Sequence, residues 1–273
     1  MWSTYIQAGN TNEVIKHLAT FGSKARVIAG GTDLMLEMER GARAGVEVLI
    51  DVSRIPGLAE IVLDGRDWIH IGPTVTHNHC VESELIRQRA YPLARACWEV
   101  GSPQIRNRGT VAGNIITASP ANDTITPLIA LGAVVTLRSL SGDRRVPLAE
   151  FYTGVRRNVM RDDELLVDIA FPALREDQVG TFVKFALRKA QAISLVNLAV
   201  ILSMTDGVIG EAIITLGAVA PTIIHAVAAE KSLVGKALTE ESISAAAVLA
   251  MEATRPINDM RGSAKYRRTM ARV

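Results

Sequence analysis

Cysteine is nearly absent: Cys80 and Cys97 are the only two in 273 residues. Without paired spacing they cannot form a zinc site or iron–sulfur cluster of the four-cysteine kind, and they read as buried free thiols in a reducing compartment. Aromatic residues are scarce at 4%. Trp2, Trp68 and Trp98 stand apart, so no stacking platform for bases is indicated. Net charge is also small, formally +2, which argues against the clustered basic surface of a nucleic-acid binder. No apolar run is long and uninterrupted enough to cross a bilayer. Met1–Tyr5 lacks a basic segment followed by an apolar one, so no signal peptide is expected and the chain reads as cytoplasmic. Neither the Gly-x-Gly-x-x-Gly fingerprint nor the Walker pattern occurs, which leaves a Rossmann or P-loop site unsupported. There is no convincing internal repeat and no low-complexity segment. What remains is a chain that is 48% hydrophobic and long enough for one large domain or two to three smaller ones.

Read in order, the chain alternates helices and strands before changing character. Asn10 with Glu13 three residues on predicts a capped helix carrying Val14, Ile15, Leu18 and Ala19 on one face, stopped by Gly22. Val27–Ala29 reads as a buried strand, Leu34–Arg40 as helix, and Val46–Val52 as a half-buried strand with apolar residues at alternate positions. Leu58–Leu63 and Trp68–Ile71 flank a hairpin turn at Asp64-Gly65-Arg66. Thr76 caps a helix over His77–Arg87, and Pro92 opens another over Leu93–Val100, ended by Gly101-Ser102-Pro103. A helix from Asp123–Thr124 to Leu131, a hairpin around Ser141-Gly142-Asp143 and a strand over Leu165–Phe171 follow. After Glu176 come long β-type runs at Thr181–Leu187, Leu195–Met204 and Val208–Val219, the last two joined at Asp206-Gly207. Alanine-rich helices over Ala226–Val234 and Glu241–Ala253 complete a third unit of α+β type.

Two glycine segments stand out. Gly30-Gly31-Thr32-Asp33, between a strand and a helix start, forms a potential anion cradle in which backbone N–H groups point at a ligand and missing Cβ atoms admit phosphate oxygens. The second is the polar stretch Gln104–Asp123, which contains Thr110-Val111-Ala112-Gly113-Asn114 and reads as a long functional loop. Asp123, acceptor-only when ionised, suits a sugar or ribityl hydroxyl. A cofactor with a central diphosphate could lie between the two segments. A branched side chain at Gly30 or Gly113 would then fill the phosphate's space.

Other polar groups have plainer readings. His77 and His79 lack a third metal ligand and read as solvated residues of a capped helix start. Arg156-Arg157 and Asp162-Asp163-Glu164 read as solvated linker charges, and Lys265–Arg268 as a solvated helix end.

The segments Ala29–Leu34, Gln104–Asn107, Thr110–Asn114 and Thr117–Asp123, with Asp163–Leu166, Lys184 and Asp259–Arg268, resemble the FAD-binding medium subunit of molybdenum hydroxylases over nearly the whole chain. The resemblance implies an α+β chain with a vanillyl-alcohol-oxidase-type (PCMH-like) FAD fold. Two α/β subdomains, 1–53 and 54–174, would precede a C-terminal domain, 175–273. It implies cofactor contacts from Arg26, Val27, Ile28, Ala29, Gly30, Gly31, Thr32, Asp33 and Leu34. On the other side it implies Thr110, Val111, Ala112, Gly113, Asn114 and Thr117. Gly101 and Ile105 would approach the flavin, Asp123 would hold a cofactor hydroxyl, and Leu166 and Lys184 would sit near one of its ring systems. His225 departs from the arginine common in the family. The implied partners are a [2Fe–2S] small subunit and a molybdopterin large subunit, in a dimer of heterotrimers, with NAD⁺, oxygen or a quinone as acceptor. No residue of this chain need then act as acid, base or nucleophile on the organic substrate, and no metal site is expected. The rival readings are a self-sufficient flavin oxidoreductase and a scaffold subunit that has lost the flavin.

Overall fold

The computed structural model describes residues 2–273, in which three main sheets follow one another along the chain, with a small two-stranded sheet beside the second. The first is built from β1 (Thr4–Gln7), α1 (Thr11–Phe21), β2 (Ala25–Ile28), α2 (Leu34–Glu39) and β3 (Val48–Asp51). Its order is β1-β3-β2, with β3 parallel to both neighbours. The Asn10 carboxamide caps α1 through the Glu13 amide at 3.0 Å, and the Glu13 carboxylate returns to the Gly9 amide at 2.8 Å. The expected half-buried strand over Val46–Val52 is instead buried at all four positions of β3, because a central parallel strand is covered on both faces. β1 had no sequence signal strong enough to mark it.

The second unit holds β4 (Ile61–Leu63), β5 (Trp68–Ile71), α3 (His77–Glu82), α4 (Glu84–Arg89), α5 (Tyr91–Glu99), α6 (Pro103–Arg108), α7 (Val111–Thr117) and α8 (Ile125–Ala130). It continues with β6 (Val134–Ser139), β7 (Gly142–Pro147), α9 (Leu148–Phe151), β8 (Tyr152–Gly154), β9 (Arg157–Asn158) and β10 (Leu165–Pro172). Its main sheet is antiparallel, ordered β4-β5-β10-β6-β7. The helix foreseen over His77–Arg87 breaks at Ser83, whose hydroxyl accepts from Ile86 and starts α4. The stretch read as a long loop, Gln104–Asp123, is largely helical. Ser102 caps α6 and Thr110 caps α7, while Val111, Ala112 and Ile115 are buried in the core.

The third sheet, β11 (Gln178–Ala186), β12 (Ser194–Thr205), β13 (Val208–Gly217) and β14 (Ile224–His225), is antiparallel in that order. Asp206 and Gly207 join β12 to β13 with φ of 52° and 77°, the backbone of a tight hairpin turn. Phe182, Ala199 and Ile201 enter the core of the second unit. On the other face α10 (Val227–Leu233), α11 (Glu240–Ala253) and α12 (Ala264–Arg272) bury Ala229, Leu233, Ala246, Ala250 and Ala271 against Leu216 and Val219.

Arg267 corrects the solvated reading of the C-terminal basic run. It is 2% exposed and donates to the carbonyls of Leu195 and Ala218 and to Asp259. Cys80 and Cys97 are buried and free, as expected. Burial, then the neighbouring Cys80 thiol, pushes Cys97 far above its ordinary range, so Cys97 is not a ready thiolate.

Candidate cofactor site

The two glycine segments face one another. β2 carries the chain to Ile28, and the turn Ala29–Asp33 leaves the first sheet to enter α2. Gly31 adopts φ +72°, a left-handed value at which a side chain is strained. Gly30 is required for a different reason. An ideal Cβ there would stand 1.9 Å from the carbonyl oxygen of Arg108, so only glycine lets the turn lie against the α6–α7 connection. A side chain at Gly30 therefore meets protein backbone before any phosphate, which corrects the steric argument made from the sequence.

On the opposite side the Thr110 hydroxyl accepts from the Gly113 amide at 2.9 Å, and a Cβ on Gly113 would meet that same oxygen at 2.9 Å. The α6–α7 connection is anchored from behind. His77 N donates to Gly109 O at 3.1 Å and Val111 N to Val75 O at 3.0 Å.

Between the segments lies a cleft with about 1150 Å³ of empty space, open to solvent. One wall is Arg26–Leu34. The other is Gly109, Thr110, Ala112–Asn114, Ile116 and Thr117, and Val100, Ile105, Leu165 and Leu166 add apolar surface. Every site residue foreseen from the sequence lies on this wall except Gly101, Val111, Asp123 and Lys184.

Those four sit behind it for identifiable reasons. Gly101, at φ +51°, packs under Ile105, whose Cγ2 would be 2.9 Å from an added Cβ. Val111 is fully buried in the core. Asp123 is not free for a cofactor hydroxyl in this structure. Its carboxylate accepts from Lys184 Nζ at 2.6 Å, Ser194 Oγ at 2.6 Å and Asn197 Nδ2 at 3.2 Å. Burial pushes that carboxyl upward, and the ammonium and two neutral donors pull it back without cancelling the shift. Lys184 also donates to Glu99 O at 3.0 Å, so this ion pair ties β11 to the second unit.

The cleft carries unspent hydrogen-bonding capacity. Among the described residues, the amides of Gly30, Gly31, Thr32 and Asp33 have no protein acceptor. Burial, then the adjacent Glu37, pushes Asp33 upward against the pull of Arg156 and the Thr117 hydroxyl. Two ion pairs cross the cleft's rim: Arg156 Nη1 to Glu37 Oε1 at 2.8 Å, and Arg26 to Asp162 at 3.4 Å. The charged segment 156–164 is thus a clasp as well as a linker. Glu164, expected to be solvated, is 4% exposed and gripped in two places by Arg144 at 2.6 and 2.9 Å. Burial raises its carboxyl, but the Arg144 fork and the Arg161 amide hold it below its ordinary range.

His77 also differs from expectation. It is 2% exposed on the cleft wall, and its Nδ1 is enclosed without a partner. Burial, then the charge of Arg106, lowers its pKa to about 4, so the ring is neutral. Arg106 is itself buried, held by Asn78 Oδ1 at 3.1 Å and Val100 O at 3.3 Å, and lies 4.7 Å over the Trp98 ring. It has no carboxylate partner among the described residues. The sequence weighed His77 only as a metal ligand or a solvated residue, because its burial depends on contacts distant along the chain.

A row of unsatisfied amides beside an apolar slot suits a diphosphate joined to flat rings, which is the chemistry of FAD. No group of potential metal ligands occurs among the described residues. No helix there is long and apolar enough to cross a membrane.

Comparison with known proteins agrees. Residues 2–174 match the family described as "FAD binding domain in molybdopterin dehydrogenase", and residues 181–273 match "CO dehydrogenase flavoprotein C-terminal domain". The carbon monoxide dehydrogenase medium chain of Hydrogenophaga pseudoflava is 33% identical over 96% of this chain and 90% of its own length. The nicotinate dehydrogenase FAD-subunit of Eubacterium barkeri is 35% identical over 85% of this chain and 76% of its own. A solved structure of carbon monoxide dehydrogenase from H. pseudoflava, which lacks the Mo-pyranopterin moiety of its cofactor, superposes with a TM-score of 0.94. It covers 100% of this chain and 94% of that one, at 33% identity. The chain belongs to the family of FAD-binding medium subunits of molybdenum hydroxylases, and it has their PCMH-type FAD-binding fold.

Proposed function

We propose that this chain holds the FAD through which a molybdenum hydroxylase delivers electrons to its final acceptor. A large molybdopterin subunit would oxidise the organic substrate. A small subunit would carry the electrons through [2Fe–2S] clusters to this chain, and NAD⁺, oxygen or a quinone would take them away. When bound, FAD supplies the exchange between one-electron and two-electron chemistry, and the protein supplies binding, orientation and electrostatics.

The observation that carries this reading is the row of unpaired amides at Gly30–Asp33 opposite the capped α7. Those amides would hold the diphosphate, with Ala112–Asn114 and Thr117 from the other wall. Val27, Ile28, Leu34, Ile105 and Leu166 would give the rings apolar contact, and Arg26 would lie at the rim. Gly101, Val111, Asp123 and Lys184 would act from behind, fixing the wall in place. Residues 1–53 and 54–174 would form the two subdomains that grip the cofactor, and 175–273 the domain that backs them. We place the assembly in the cytoplasm as a dimer of heterotrimers.

The self-sufficient enzyme would need a free acid or base in the cleft. Glu164 is spent on Arg144 and Glu37 on Arg43 and Arg156, His77 is buried, and Asp33 lies in the turn proposed for the diphosphate, so the relay is the better reading. The test is to co-purify the native complex and mix this chain with its reduced iron–sulfur partner. Bleaching of the flavin absorbance with the partner, and none with the organic substrate alone, is the expected outcome. Reduction by the substrate alone contradicts the relay, and a colourless protein points to the scaffold.

A further inference from the structure

We propose that Arg156 is a positioning residue of the cleft: its ion pair with Glu37 closes a strap between the two walls, and that strap sets how fast FAD enters and leaves. The inference rests on the cleft being the FAD site.

The strap is built on the second wall. The last carbonyls of a helix have no partner within it. At the end of α7 the β8–β9 hairpin supplies partners. Tyr152 Oη donates to Ile115 O at 3.3 Å, Asn158 Nδ2 to Ile116 O at 2.9 Å and Arg156 N to Ala118 O at 2.9 Å. Arg156, at the hairpin tip, has φ of 55°, and Ala118 opposite has 53°, left-handed values that a residue with a side chain rarely adopts. Such backbone persists only where its surroundings over-determine it, and here the result is a guanidinium held out from the end of α7.

The catch is on the first wall. Glu37 lines the cleft one helical turn beyond Asp33, whose carbonyl accepts from the Glu37 amide at 2.9 Å. Arg43 Nε donates to Glu37 Oε2 at 2.7 Å and so fixes the carboxylate within the first unit. Oε1 is left to take Arg156 Nη1 at 2.8 Å from the second unit. The other pair at the rim, Arg26 with Asp162, is longer at 3.4 Å and holds less firmly.

With 59% of its side chain exposed, Arg156 adds little to folding stability through this pair. Its effect falls on passage through the rim. The pair closes between two protein side chains alone, so it bars entry as much as exit. Opening it should quicken both and leave their ratio, the affinity, nearly unchanged.

The experiment strips the full-length chain of flavin and measures FAD entry and release by stopped-flow fluorescence, with thermal unfolding measured alongside. Arg156→Asn drops the charge and keeps a side chain that tolerates the left-handed turn. Arg156→Asn and Glu37→Gln are each expected to speed entry and release about threefold at unchanged Kd and Tm. The double variant is expected to be no faster than the faster single one. Wild-type release is expected to quicken with added salt, a readout that needs no variant, and release indifferent to salt overturns the strap. Release from a folded Arg156→Asn at the wild-type rate overturns it too. So does faster release with unchanged entry, which would assign Arg156 to direct contact with the bound cofactor. Wild type that binds no FAD overturns the reading of the cleft itself.

Discussion

Gly30 and Gly113 look alike in the sequence, yet they have different tasks. At Gly30 a Cβ would fall 1.9 Å from the backbone carbonyl oxygen of Arg108, which cannot rotate away as a side chain can. At Gly113 it would press on the Thr110 hydroxyl at 2.9 Å, a side chain that can rotate away at the expense of its cap. Gly30→Ala should therefore force the walls apart and abolish FAD binding. Gly113→Ala should leave a folded protein with weakened flavin retention and a cost of about 1 kcal/mol from the lost cap. Flavin content per chain, measured after dialysis, separates the two. Equal flavin content in Gly30→Ala and wild type would show that the close contact with Arg108 is dispensable.

Hairpins and long strands were legible in the sequence because their signals are local: Asp64–Arg66 and Asp206-Gly207 at the turns, and apolar runs on either side. The helices α6 and α7 were not. Glycine, threonine and asparagine are poor helix formers, and these short segments are held by their Ser102 and Thr110 caps and by burial of Val111 and Ile115. The cleft wall was legible because glycine turns announce close backbone approach. The inward turn of Arg267, the burial of His77 and the Arg156–Glu37 clasp depend on partners far along the chain, which no local pattern shows.

The Asp123–Lys184 pair belongs to this element scale, since it joins β11 to the segment ahead of α8. Asp123→Ala would leave a buried ammonium with Glu99 O as its remaining partner and should cost about 3–5 kcal/mol. Replacing both groups by apolar ones, Asp123→Leu with Lys184→Met, should recover much of that. Urea unfolding checks this. A double variant no more stable than the single one would remove the pair from its role as the tie.

At the scale of the whole molecule the cleft has no single owner. One wall hangs from a parallel sheet and the other from helices packed on an antiparallel sheet, and the third sheet shares the core that supports the second wall. The ion pairs at the rim are exposed enough to contribute little to stability, so the walls are set chiefly by the Gly30–Arg108 contact and by burial. A ligand bridging the two walls should protect both together. Amide hydrogen exchange on the full-length chain, with and without FAD, tests this directly. The account predicts that FAD slows exchange at Gly30–Asp33 and at Ala112–Asn114 in parallel. Saturating FAD that leaves both segments exchanging as before, while protecting some other region, would contradict it.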